Sequence, residues 1–162
     1  MVYFGQEVGE AGNENGGFGT HSRTSIFDYV GVPNHQRWMS NGKFDGGQLS
    51  ASEKSLRDFY KRLLNFTIKS PALMGDFQEI QTINRTETSG YDRGIYSFVR
   101  WSNEQKLIVV ANFSWLTTSN FELKIPEDVI QKWNLKDGTY SLKEQMYRKH
   151  NAKLEVINGK GH

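Results

Sequence analysis

The chain contains no cysteine. That excludes disulfides, cysteine-ligated zinc and a thiol nucleophile, and it leaves the compartment open. There is no run of about 18 apolar residues, so no membrane-spanning helix is expected. No Lys/Arg run is present, and a formal charge of +2 is too small to argue for nucleic acid. No Lys-Ser/Thr follows the glycines near the start, so they do not form a phosphate loop. Residues 7–15 offer oxygen ligands, yet their spacing matches no EF-hand. No metal-type pattern surrounds His21 or His35, and no metal site is expected. No basic-then-apolar leader follows Met1.

What is present suits a soluble chain with a core. Of 162 residues, 36% are hydrophobic and 23% charged. That length allows one ordinary domain, or a small domain plus part of another. Aromatic content is 13%, high for this size. Aromatic faces line sugar sites, but they more commonly fill β-sheet cores.

Val2-Tyr3-Phe4 reads as a short strand buried on both faces. A strand placed there with no partner before it leads to the expectation that the chain is the tail of something larger. Five of the sixteen glycines fall between Gly9 and Gly19, which marks a sharply turning loop. Residues 34–47 also read as loop, and Pro33 favours extended chain before it. A connection of about 40 residues far exceeds the usual 4–6 or so. Its aromatic anchors, Phe18, Phe27, Tyr29, Trp38 and Phe44, favour a functional loop.

Residues 50–69 carry the clearest helix. Ser50 and Glu53 have capping-box spacing. Leu56, Phe59, Tyr60, Leu63 and Leu64 share one stripe, and Pro71 stops the helix. From Met74 the period changes to that of strands. Strands are expected over 76–84, 95–101, 107–113 (a central one), 120–125, 139–147 and 153–157. Residues 86–94 read as a hairpin loop, 126–133 as one or two helical turns, and Asp137-Gly138 as a hairpin turn. Asn158 to His162 read as turn-like, with one closing strand missing. Sequons at Asn65, Asn84 and Asn112 are read as chance.

At this point four stretches resemble one family in the same order. YFGQEVG at 3–9 looks like the last barrel strand of α-amylase-family glycoside hydrolases. HSRTSIFDY at 21–29 is similar to that family's Ser-Arg-Thr-Pro-x-x-Trp segment, departing at Ser25 and Phe27. LRDFYKRLLNFTIKSPALMGDF at 56–77 resembles the last barrel helix and its Pro-Ala-Leu-x-x-Gly exit. GIYSFVRWSNEQKLIVVANFS at 94–114 looks like the first hairpin of the C-terminal all-β domain.

The resemblance implies a mainly β chain. A remnant βα unit of a (β/α)₈ barrel (1–73) would precede a Greek-key-type antiparallel β-sandwich (74–162) that lacks its final strand. In the family the active site lies at the C-terminal ends of the barrel strands. An Asp nucleophile, a Glu acid/base and a second Asp stand on strands four, five and seven. No catalytic residue is therefore expected in this segment. It is expected to brace the barrel of a parent enzyme acting on α-glucans such as starch and maltooligosaccharides. Its expected partner is the missing barrel portion of the same chain. The alternative is a stand-alone starch- or maltooligosaccharide-binding module. The resemblance leaves room for Ca²⁺ in the parent, with no supporting motif here, and no other cofactor is implied. A polysaccharide-active parent is expected to be secreted or periplasmic.

Candidate site residues follow. Arg23 can fork two hydrogen bonds to a carboxylate or to vicinal sugar hydroxyls; Asp28 is its local structural alternative. Glu7 is a candidate sugar contact at the barrel rim, against a purely backbone-binding role. Paired with Glu10 it would have to sit about 5–5.5 Å away to support retaining hydrolysis, and a strand running into glycines makes that arrangement disfavoured. His21 is a candidate for hydroxyl contact, against a solvated loop histidine. Trp38, Trp101, Trp115 and Trp133 could stack on glucose rings; Trp101 and Trp115, at strand ends, are the candidates, against a role as core lids or rim residues.

Overall fold

The computed structural model describes residues 2–11, 32–114, 118–147 and 151–162. They fall into two compact units, 1–65 and 66–162. Of the described residues roughly 34% are helical and 25% in strands. The fold is therefore mixed α/β rather than mainly β, with two small antiparallel sheets.

In the first unit the expected strand at Val2–Phe4 does not form. Val2 and Tyr3 are exposed, and a 3₁₀ turn follows at Gln6–Val8. A strand needs a ladder partner for its N–H and C=O groups, and no described segment pairs with this one. Instead Gly5, at φ 74°, folds the chain back. Its carbonyl accepts the Glu10 N–H at 2.9 Å.

Helix α1 (Pro33–Met39) occupies part of the stretch expected to be loop. Pro33 stands at the helix start, where its missing N–H costs nothing. Two side chains then fasten α1 to the turn. Asn34 Nδ2 donates to the carbonyls of Val8 and Gly9 at 3.1 and 2.9 Å. The Glu10 carboxylate accepts the His35 N–H at 2.9 Å, which satisfies one of the orphan donors of a helix N-terminus.

Helix α2 (Ala51–Lys69) forms where the sequence places it, behind a closed capping box. Ser50 N–H donates to Glu53 Oε2 at 2.7 Å, and Glu53 N–H donates to Ser50 Oγ at 3.3 Å. None of its 19 residues is buried. The division between the two compact units falls within this helix, at 65/66.

The second unit opens with a 3₁₀ turn at Pro71–Met74. β1 (Asp76–Glu79), β2 (Ile95–Trp101) and β3 (Lys106–Asn112) form one antiparallel sheet in that order. The β2–β3 hairpin keeps unbroken register from Ile95 opposite Asn112 to Trp101 opposite Lys106. β2 is the central strand, and β3, expected to be central, is an edge. β1 is half the expected length because α3 (Gln81–Glu87) replaces its continuation. The Glu79 carboxylate accepts the Thr82 N–H at 3.0 Å and so satisfies one of that helix's free first-turn donors.

Residues 120–125 alternate like a strand but form only one bridge, Ile125 opposite Gly161. The buried Asn84 supplies the missing partner. Its Nδ2 donates to the Lys124 carbonyl at 2.9 Å, and its Oδ1 accepts the Lys124 N–H at 2.8 Å. One amide side chain thus meets both backbone groups of Lys124, as a neighbouring strand would. The same amide also binds the Ile80 carbonyl and the Thr88 hydroxyl, both at 2.8 Å.

Helix α4 (Glu127–Lys132) follows Pro126 as expected. β4 (Gly138–Lys143), β5 (Asn151–Ile157) and β6 (Lys160–Gly161) make the second sheet. Asp137-Gly138 is not a hairpin turn. The Asp137 carboxylate instead accepts the Asn158 and Gly159 N–H groups at 2.9 and 3.1 Å. Asn158 and Gly159, both at positive φ, form a two-residue hairpin turn. A short strand therefore follows, where only a turn was expected. Gly161 is required there, since a Cβ would lie 2.9 Å from those of Ile125 and a Leu154 methyl. One apolar cluster joins both sheets and α4: Ile80, Val99, Ile125, Val129, Ile130, Trp133, Leu154 and Val156.

Candidate functional site

The sequence-derived candidates do not converge. Arg23, His21 and Trp115 lie outside the described residues. Glu7 is half-buried within the 3₁₀ turn of the first unit. Glu10 is committed to the His35 N–H, which gives it a structural task in place of one in a carboxylate pair. Trp101 lies in the second unit and lines its main cavity.

That cavity has a volume of about 900 Å³, within the range of roughly 300–1,000 Å³ common for ligand sites. Strand register builds its floor. Asp76 stands opposite Trp101, and Trp101 stands opposite Lys106. Directly opposed residues share a face. A carboxylate, an indole and an ammonium therefore form a row across the three strands. Ser102 and Asn103, in the turn after β2, and the α4 exit at Lys132 to Leu135 complete the lining.

Two local devices fix Trp101. A Cβ on Gly75 would lie 2.0 Å from the Trp101 carbonyl oxygen, so only glycine lets the chain pass there. Next to it, Arg100 Nη2 donates to the carbonyls of Leu73 and Gly75 at 2.6 and 3.1 Å. On the other side the Trp101 and Trp133 rings meet edge to face, 6.5 Å apart, a favoured aromatic geometry.

Lys132 Nζ stands 6.0 Å from the Trp101 ring centre, at cation–π range. It also donates to Asp128 Oδ2 at 2.9 Å and Gln78 Oε1 at 2.7 Å. The Lys132 ammonium holds the Asp128 carboxyl below its ordinary range, with a smaller contribution from Gln78. Trp133 is 4% exposed, and its Nε1–H is buried without an acceptor. A buried donor left unmade costs about 1–3 kcal/mol, and this one is closed to solvent within the packed interior.

Sequence reasoning named Trp101 and Trp133 but not the polar and charged residues of this lining. Trp133 follows Val129 and Ile130 at helical spacing, which was the available signal for its inward face. Lys106 faces Trp101 across a single turn, but the place of Asp76 beside it depends on register between segments about 25 residues apart, which no local pattern specifies.

In the first unit Phe4, His35, Trp38 and Phe44 form a chain of ring contacts at 4.8, 5.4 and 5.8 Å. Arg57 Cζ lies 5.3 Å from the Trp38 ring centre. Arg37 is ion-paired to Glu53. The Arg37 guanidinium, and next the Ser50 N–H, hold the Glu53 carboxyl down at about 2. Among the described residues no cluster of His, Asp and Glu could hold a metal ion, and no helix is long and apolar enough to cross a membrane.

Comparison with family models, curated proteins and solved structures returns no match.

Proposed function

We propose that this chain is the C-terminal portion of an α-glucan-active glycoside hydrolase of the α-amylase type. In this reading residues 1–73 are the last strand, loop and helix of a (β/α)₈ barrel, and 74–162 belong to a Greek-key-type β-sandwich. The segment is non-catalytic and braces the barrel that carries the Asp, Glu and Asp of a retaining mechanism. Its partners are the remainder of the barrel and, through the whole enzyme, starch or maltooligosaccharides. Arg23, Glu7 and His21 then stand at the rim of the parent's sugar cleft.

The observation that carries this reading is the order helix, Pro-Ala-Leu-Met-Gly exit, antiparallel hairpin. α2 ends at Lys69, the exit turn occupies Pro71–Met74, and residues 95–112 pair in continuous antiparallel register. β1 and α3 stand between the exit turn and that hairpin, and the order of helix, exit and hairpin supports the reading. A second support is α2 itself, a 19-residue amphipathic helix with no buried residue. An apolar stripe of that length belongs against another surface, and a barrel supplies one.

The test is the reading frame upstream of Met1 and the activity of its product. A barrel with Asp, Glu and Asp at strand ends four, five and seven is expected. The longer polypeptide should release reducing sugar from starch, and the 162-residue chain should not. A frame encoding no such barrel, or starch hydrolysis by the 162-residue chain alone, overturns the reading.

A further inference from the structure

We propose that the free edge of β3 is a pairing surface for a second copy of this chain, with the two β3 strands antiparallel about a twofold axis at Val109. The ladder between β2 and β3 fixes which backbone groups are available. At one end Ser102 N–H donates to the Gln105 carbonyl at 2.9 Å, and at the other Phe113 N–H donates to the Gly94 carbonyl at 2.8 Å. Along an antiparallel strand, successive residues turn their N–H and C=O groups toward and away from the partner. Between those two bonds, Leu107, Val109 and Ala111 therefore turn theirs to β2, and Ile108 and Val110 turn theirs outward. No described strand pairs with that outward side.

Nothing in β3 blunts this edge. Edge strands that must stay unpaired carry a charge, a proline or a bulge. Residues 107–111 read Leu-Ile-Val-Val-Ala, without charge or proline, and their register with β2 is unbroken. Val110 stands opposite the buried Ser97 yet is 48% exposed. The core-facing side of the sheet thus ends uncovered at β3.

Charge selects the direction of the pair. Lys106 is the one charged residue of β3. Parallel pairing would bring the two Lys106 side chains together at one end, which like-charge repulsion opposes. Antiparallel pairing sets Lys106 opposite Asn112 of the second copy. Side-chain matching selects the register. With the axis at Val109, Ile108 meets Val110 of the second copy on one face; on the other, Val109 meets its counterpart and Leu107 meets Ala111. Moving the axis by one residue sets Ile108 opposite Asn112, or Val110 opposite Lys106. Such an isologous contact uses both β3 edges and closes at two copies. The inference is independent of the reading under Proposed function.

The test is sedimentation equilibrium of the 162-residue chain from micromolar to millimolar concentration, with residue-resolved amide exchange at both ends of that range. A species of twice 18.6 kDa is expected at high concentration. There the Ile108 and Val110 amides should gain roughly tenfold protection, while those of Leu107 and Val109, bonded to β2, should keep theirs. Val110→Lys charges the edge without removing a bond to β2 and should raise the dissociation constant roughly tenfold or more. The exchange pattern of the unmodified chain decides the matter if that variant fails to fold.

A monomer throughout the range, a dimer whose Ile108 and Val110 amides gain no protection, or assemblies that grow beyond two copies overturn the proposal. None of these outcomes bears on the reading frame upstream of Met1, so the hydrolase reading stands or falls separately.

Discussion

The two units are held by different forces. Among the described residues the first buries two hydrophobic side chains, Val8 and Leu49, whereas the second buries ten. The first unit relies on polar ties instead: Asn34 and Glu10 fasten α1 to the preceding turn, and Arg37 pairs with Glu53. Apolar burial is worth roughly 25 cal/mol per Å² and does not depend on pH. Exposed ion pairs contribute little and weaken with salt. The second unit therefore carries most of the apolar stabilisation of the described residues, and the first has a sparse apolar interior.

This contrast can be broken first in the apolar core. Ile130 is 1% exposed and touches the cluster that joins both sheets. Ile130→Ala should cost the second unit about 3 kcal/mol. Hydrogen exchange should show lost protection across β5 with α1 unaffected. Equal loss in α1 would mean that the units unfold together and that the contrast is false.

A smaller effect is expected at Gly75. The Cβ of Gly75→Ala would sit against the Trp101 carbonyl, and relief by backbone shift should cost about 2 kcal/mol, as overpacking generally does. Urea denaturation reads the loss, and the Trp101 indole signal should move with it. An unshifted indole would show that Gly75 does not position the floor of the cavity.

The smallest effect sharpens the other side of the comparison. Glu53 titrates at about 2 in the folded chain against an ordinary 4.5. A depressed carboxyl contributes stability that is full above the ordinary value and lost as pH falls through the folded one. Protection of α1 and the start of α2 should decline between pH 4.5 and about 2. Glu53→Gln should flatten that decline and leave β2 and β5 unchanged. A decline of equal size in the variant would assign the acid sensitivity elsewhere.

Local signals were legible in the sequence. The Ser50–Glu53 box and the apolar stripe of α2, the alternation of β2, and the apolar β-branched run of β3 depend on neighbours within a few residues. Signals that depend on a partner were not. Val2–Phe4 has strand composition, but without a ladder its backbone turns at Gly5. Ile80 and Ile83 read as strand residues, yet their spacing of three is equally helical, and α3 forms with the Glu79 carboxylate on its Thr82 N–H. Residues 120–125 alternate as predicted, but a buried asparagine from elsewhere takes the partner strand's place. Of the candidate site only the tryptophans Trp101 and Trp133 were visible, because large aromatics stand out alone. The row of Asp76 and Lys106 beside it exists only once the register is set.

Asn84 also belongs to an Asn-x-Thr sequon, Asn84-Arg85-Thr86. In the closed unit both its amide hydrogens point at carbonyl oxygens, and no glycosyltransferase can reach them. A sugar on this nitrogen must arrive before the chain closes and would then forbid the contact with Lys124. Modification and folding are in this way rivals for one atom. In a host that glycosylates, the fraction of chains modified at Asn84 becomes a clock for how long the second unit stays open.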